Sequence, residues 1–259
     1  MESAIETFLT TSVLAFMLTF VRLGSAIMIM PGVGDSFVST RIRLHIGVAL
    51  SFALFPLAMP YMPDPLPSTF GLLVLIAMEF VIGLFIGTIA RVLMSAMDTA
   101  GMVISISSGL GNAQVFNPSM ATQGSLVGAL LSVTGVVMLF QFNLHHLLFI
   151  GIMESYEMFP LGAIPDTGSM AELMSRTVSA SFSIGVKIAA PFIVMTLLIY
   201  VGMGVLSRLM PQIQVFILAL PMQILLSIAL LAMVLSAAVM YWIAQFEQGM
   251  VFFLRASGG

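Results

Sequence analysis

The chain reads as apolar runs separated by short polar or broken connections. The runs fall at about Phe8–Met30, Leu44–Met59, Phe70–Met97, Ser125–Met153, Thr177–Gly204 and Val215–Phe246. A membrane-spanning helix needs about 20 predominantly apolar residues, so all but the second predict spans outright. The second is shorter and carries Pro56 before Pro60, which predicts a half-span or the arm of a packed hairpin. The expected fold class is all-α: a polytopic helical membrane protein of about six long apolar helices arranged as hairpins.

One connection departs from this pattern. The stretch Gly101–Ser125, GMVISISSGLGNAQVFNPSMATQGS, carries no charge, so it suits a soluble loop poorly. Gly109, Gly111 and Pro118 interrupt it, and Ser107, Ser108, Asn112, Gln114 and Asn117 make it a poor membrane helix. Non-helical backbone among apolar segments is tolerated only where protein or a water-filled cavity satisfies its polar groups. The expectation is a segment folded into a protein interior, lining or blocking a passage.

Composition places the chain firmly in a membrane. It is 60% hydrophobic and 7% charged, with a mean hydropathy of +1.15, whereas soluble domains carry about a quarter charged residues. A net charge of −3 excludes the basic footprint that nucleic acid requires. Cysteine is absent, which removes disulfides, thiolate metal sites and cysteine nucleophiles. Glu2 and Glu6 stand where a secretory signal would be positively charged, so the first apolar run is expected to be retained. Arg41, Arg43, Arg91 and Arg208 fall in or beside odd-numbered connections; Asp64, Glu154, Glu157, Asp166 and Glu172 fall in even-numbered ones, against Arg176 alone. That asymmetry predicts odd connections in the cytoplasm and both termini outside.

Ionisable groups inside apolar runs are costly and mark candidate sites. Here they are Arg22, Glu79, Arg91 and Lys187. Arg22 and Arg91 lie towards segment ends, which predicts side chains that snorkel to the interface. Glu79 and Lys187 lie deeper and are open to either a proton relay or structural ion pairs. Glu79 and Arg91 sit about 120° apart around one helix, so they are not expected to pair. Gly83 with Gly87, and Gly124 with Gly128, have the GxxxG spacing that lets helix backbones approach closely. Pro191 and Pro221 interrupt the last two runs and predict kinks or tight packing. His145 and His146 point in different directions from one helix, and no HxxxH spacing supports them, so no metal site is expected. SISSG does not fit G-x-S-x-G, so a serine hydrolase is not expected either. A self-sufficient small-solute transporter stays open, because broken segments near intramembrane charges are its signature too.

Four ordered landmarks resemble one family. These are MPGVGDSFVSTRIRLHIGVAL (30–50), EFVIGLFIGTIARVLMSAMDTAGMVIS (79–105), HHLLFIGIMESYEMFPLG (145–162) and SRLMPQIQVFILALPMQI (207–224). Together they are similar to the FliR family, membrane subunits of the type III export gate in flagellar and virulence systems. The last, with its Arg-x-x-Pro-Gln-x-x-x-Phe pattern, is the most specific.

The resemblance implies a non-enzymatic core subunit without catalytic, cofactor or metal residues. It would be part of the wall and plug of a channel for unfolded flagellar proteins, in the bacterial inner membrane at the flagellar basal body. The implied division is an N-terminal FliP-like part, 1–176, holding a plug at 105–121, and a C-terminal FliQ-like hairpin, 177–259. The implied partners are FliP, FliQ and FlhB, besides membrane lipid and the exported proteins. In the plug, Ser107, Gly109, Gly111, Asn112, Gln114, Val115, Phe116, Asn117 and Pro118 are the expected residues: the glycines let it bend, while Val115 and Phe116 seal it. Uncharged Asn117 stands before Pro118 where some relatives carry an acid. Glu79 and Lys187 are expected to hold helices through contacts with partner subunits. Arg208, Pro211 and Gln212 are expected at a cytoplasmic tip facing FlhB. In an assembled gate the resemblance also implies that these helices stand largely above the bilayer plane.

Overall fold

The computed structural model describes residues 2–62, 68–111, 125–163, 165–210 and 215–255. Among them the chain forms helices and no strand. The helices are α1 (Glu2–Ile29), α2 (Thr40–Ala58), α3 (Thr69–Ser107), α4 (Leu126–Gln141), α5 (Leu144–Met158), α6 (Thr167–Leu209) and α7 (Val215–Arg255), with a 3-10 turn at Met59–Tyr61. Five are long and apolar enough to cross a membrane, and bent α4–α5 makes a sixth if counted as one span. The polytopic helical class expected from the apolar runs is what the chain adopts.

Three expectations need correction. The fourth run is not one helix: it breaks between α4 and α5 and turns by 74°, around Asn143 in the left-handed conformation (φ 58°). Asparagine tolerates that conformation better than most residues, and the polar QFN step supplies the turn. The third run does not end at Met97: GMVISIS continues α3 to Ser107 and so makes a helix of the first part of the uncharged stretch. Its serines are accommodated by hydrogen bonds described below. α6 begins ten residues before the expected start at Thr177. Asp166 caps it, accepting from the Gly168 amide at 3.0 Å and the Ser169 hydroxyl at 2.5 Å, which satisfies first-turn donors that otherwise lack partners. α6 and α7 both continue through their internal prolines, Pro191 and Pro221.

Two compact units interleave along the chain. The first comprises Met1–Leu93, Leu139–Thr177 and Glu247–Gly259; the second comprises Met94–Met138 and Val178–Phe246. In the first, α1 packs on α2 through Phe16, whose ring lies 6.3 and 6.4 Å from those of Phe55 and Phe52. Leu14, Leu18 and Leu75 form a buried cluster with Met62 and Leu161 against it. α1 and α3 approach where Gly83 and Gly87 face Arg22 and Ala26. A methyl group at Gly83 would overlap the Arg22 carbonyl and the Ser25 hydroxyl, so this GxxxG serves a contact within the chain. In the second unit, Gly101 of α3 lies against Gly128 of α4, where a Cβ would strike backbone. Gly124 lies outside the described residues. α6 meets α7 through Ile199, Met203 and Ala219.

Candidate functional site

Among the described residues two buried polar centres stand out, one in each unit. In the first unit Arg22, on α1, is fully buried, and Glu79, on α3, is almost so. Arginine Nε donates to Glu79 Oε2 at 2.6 Å and Nη2 to Oε1 at 2.8 Å. Nη2 also donates to the Phe159 carbonyl and Nη1 to the Ser155 hydroxyl, both at 3.0 Å. The guanidinium carbon sits 3.8 Å above the centre of the Tyr156 ring. A bidentate fork with four of the five guanidinium donors occupied is an arrangement in which a buried ion pair is tolerated. Arg22 therefore does not snorkel; it joins α1, α3 and α5, and Glu79 has a partner within the same chain. Arg91, as expected, does not pair with Glu79. It binds Asp35 in the first connection, whose other carboxylate oxygen accepts from the Gly32 amide at 2.7 Å. Arg43 donates to the Asp35 carbonyl at 2.6 Å, so its charge is used in holding that connection.

In the second unit the ends of the uncharged stretch come together. α3 stops at Ser107, and Gly109 takes a left-handed conformation (φ 76°), the usual way a helix is ended. The Gly111 amide then returns to the Ser105 carbonyl at 2.9 Å. Ser105 and Ser125, the residues flanking the break, share a hydrogen bond of 2.7 Å between their hydroxyls. The Ser125 hydroxyl also donates to the Gly101 carbonyl at 3.0 Å and accepts from the Gly128 amide at 3.0 Å. Chain leaving α3 thus returns to α4 at the same place.

That junction is fastened to the C-terminal hairpin. The Ser107 carbonyl, left without a helical partner at the end of α3, accepts from the Thr196 hydroxyl of α6 at 2.6 Å and from the Gln223 side-chain amide of α7. Gln223 is 3% exposed. A buried carbonyl with two donors is well satisfied, and a buried amide without a partner is costly. Ser105 and Ser108 are buried in the same place.

Of the residues singled out from the sequence, Ser107, Gly109 and Gly111 lie in this junction. Asn112, Gln114, Val115, Phe116, Asn117 and Pro118 lie outside the described residues, as do Pro211 and Gln212. Arg208 is in the last turn of α6 and exposed. Lys187 is exposed at mid-length of α6. Sequence reasoning missed Gln223, Thr196, Ser125, Asp35 and Ser155. Gln223 carried a signal, being a polar side chain inside an apolar run; Thr196 carried none, since threonine commonly bonds back to its own helix.

Comparison with known proteins agrees with the resemblance. The sequence model of the bacterial export proteins, family 1, matches residues 13–249. The chain is 38% identical over 232 residues to the flagellar biosynthetic protein FliR of Caulobacter vibrioides, covering 89% of this chain and 92% of that one. It is 31% identical over 231 residues to the FliR of Aquifex aeolicus, with 89% and 86% covered. To the Yop proteins translocation protein T of Yersinia pestis it is 26% identical over 213 residues, covering 81% of each.

Proposed function

The chain belongs to the bacterial export proteins, family 1, and from that premise we propose that it is a non-enzymatic core subunit of the flagellar type III export gate. It forms part of the wall of a channel for unfolded flagellar proteins across the inner membrane. The stretch 105–121 is its plug, within an N-terminal FliP-like part (1–176), and 177–259 is a FliQ-like hairpin. FliP and FliQ are its partners in the wall, and FlhB meets the tip at Arg208, Pro211 and Gln212. Gly109 and Gly111 let the plug bend, and Val115 and Phe116 seal it, with Ser107, Asn112, Gln114, Asn117 and Pro118 completing it.

The observation that carries this reading is the fastening of the Ser107 carbonyl by Thr196 and Gln223. A segment whose root is bonded by both arms of a neighbouring hairpin is held in place, as a plug must be. Its uncharged polar composition suits a protein interior and neither lipid nor bulk water. The virulence-type reading has support in the likeness to the Yersinia protein, and the higher identities to FliR relatives favour the flagellar one.

Deleting Ser107–Asn117 tests the plug. Cells carrying the deletion are expected to leak ions and small solutes, and unchanged permeability would count heavily against a plug. A mild-detergent pull-down of the tagged chain is expected to recover other small polytopic proteins in excess of it. Solute uptake by the purified chain alone in liposomes would instead establish the transporter reading.

A further inference from the structure

α6 presents two different faces. Its inward face carries Ser181, Ile184, Ile188 and Phe192, all buried. The Ser181 hydroxyl lies 3.3 Å from that of Ser95 on α3, and a Cβ at Gly185 would stand 2.9 Å from the Ala96 carbonyl. On the far side Ala180, Ser183, Lys187, Ala190, Val194 and Leu197 are all exposed. Their alternating spacing of three and four residues is that of a coiled-coil seam. Three of the four neighbours closest to the lysine in that seam are small, as at close helix–helix contacts in membranes.

Lys187 is the misfit in this seam. α6 is 43 residues long, about 65 Å, and the lysine stands at its middle. Among the described residues the ion pairs join Arg22 to Glu79, Arg91 to Asp35 and Arg176 to Glu172, and Lys187 takes part in none. An ammonium in the apolar body of a helix faces a partner charge or a cavity. Lipid headgroups could meet the charge but not the rest of the face. In the same seam Leu197 is 62% and Val194 56% exposed, in line with exposed Ser183. Such a mixture suits neither water nor hydrocarbon and fits a protein surface.

We propose that this face of α6 is the seat of an apolar helix from a different membrane subunit, which carries an aspartate or glutamate opposite Lys187. The inference rests on the reading of the chain as one subunit of an export gate, and adds the face and the chemistry of the contact. The small residues at 180, 183 and 190 let that helix approach closely enough for a direct ion pair. The ion pair fixes the register of a seam that apolar packing alone would leave free to slide, the role best attested for lone polar groups in such seams.

The test is a photo-crosslink from the full-length chain in native membranes, with Val194, 56% exposed in the same seam and outside the small residues, replaced by p-benzoylphenylalanine. The expected adduct maps to an apolar helix of another protein bearing an acidic residue within about two turns of the crosslink. Lys187→Glu should lower the adduct yield about tenfold or more. Lys187→Arg should retain it, and exchanging the partner's acid for lysine should restore the Lys187→Glu yield. Adducts with phospholipid only, adducts with a second copy of this chain, or an unchanged yield in Lys187→Met would each overturn the proposal. Affinity purification of the unsubstituted chain separates the two levels. Co-purifying polytopic partners alongside a lipid-only adduct leaves the export-gate reading standing without this contact. A chain that purifies alone removes both.

Discussion

Arg22 and Glu79 lie 57 positions apart in the chain and meet through two parallel hydrogen bonds of 2.6 and 2.8 Å, with both side chains withdrawn from solvent. The pair fastens α1 to α3 where glycines have already brought the two backbones together. Removing one partner leaves an uncompensated buried charge, which costs about 3–5 kcal/mol. Glu79→Ala is therefore expected to lower the thermal midpoint of the detergent-solubilised protein sharply. Arg22→Met with Glu79→Leu should recover most of that loss, because apolar replacement of both partners is often neutral. A relay role would instead leave the double variant stable but unable to support export.

The approach of α1 and α3 depends on Gly83 as much as on the ion pair. Any side chain there runs into the Arg22 carbonyl, which is backbone and cannot swing away. Overpacking of a close contact costs about 1–3 kcal/mol, occasionally more. Gly83→Ile is expected to reduce the yield of folded protein in membranes, measured by fluorescence-detected gel filtration. The same change at Gly202, where a Cβ would meet nothing within 4 Å, should be far milder.

The junction at Ser107 makes a graded prediction. Thr196→Val and Gln223→Leu each remove one donor from the same carbonyl, and each such bond contributes about 1 kcal/mol. Either change alone should raise resting permeability slightly, and the two together should raise it much more, because only then is the buried carbonyl left bare. Permeability that stays at the unsubstituted level in the double variant would separate this junction from the seal. Ion flux across membranes containing the assembled complex is the measurement.

Asp166 provides a pH-dependent end to α6. The Ser169 hydroxyl, and then the Gly168 amide, hold its carboxyl below the usual carboxylate range. A carboxyl more acidic in the folded state contributes stability that is present above its unfolded value of about 3.9 and is lost as pH falls through the folded value. Hydrogen exchange in the first turn of α6 is expected to quicken over that acidic interval. Asp166→Asn, which keeps an acceptor but cannot titrate, should abolish the dependence.

Patterning along the chain was enough to settle the class. Apolar runs too long and too poor in charge for a soluble core allow only helices in a membrane, because lipid offers backbone groups no other partners. Some local punctuation was legible: Gly109 and Gly111 announced a break after α3, and glycines spaced four apart announced a close crossing, whereas the aspartate that starts α6 was passed over in favour of Thr177. Tertiary structure decided which distant residues share a partner. Nothing near Arg22 in the chain distinguishes a side chain reaching for the interface from one bonded to Glu79, Ser155 and Phe159, since that depends on the crossing of three helices. Nor could the stopping point of α3 be read from its glycines alone. Ser107 ends it where Thr196 and Gln223, some ninety and more positions onward, arrive to satisfy the carbonyl that the helix leaves open. A helix end in an apolar interior is stable only where such donors converge, and that convergence belongs to the fold.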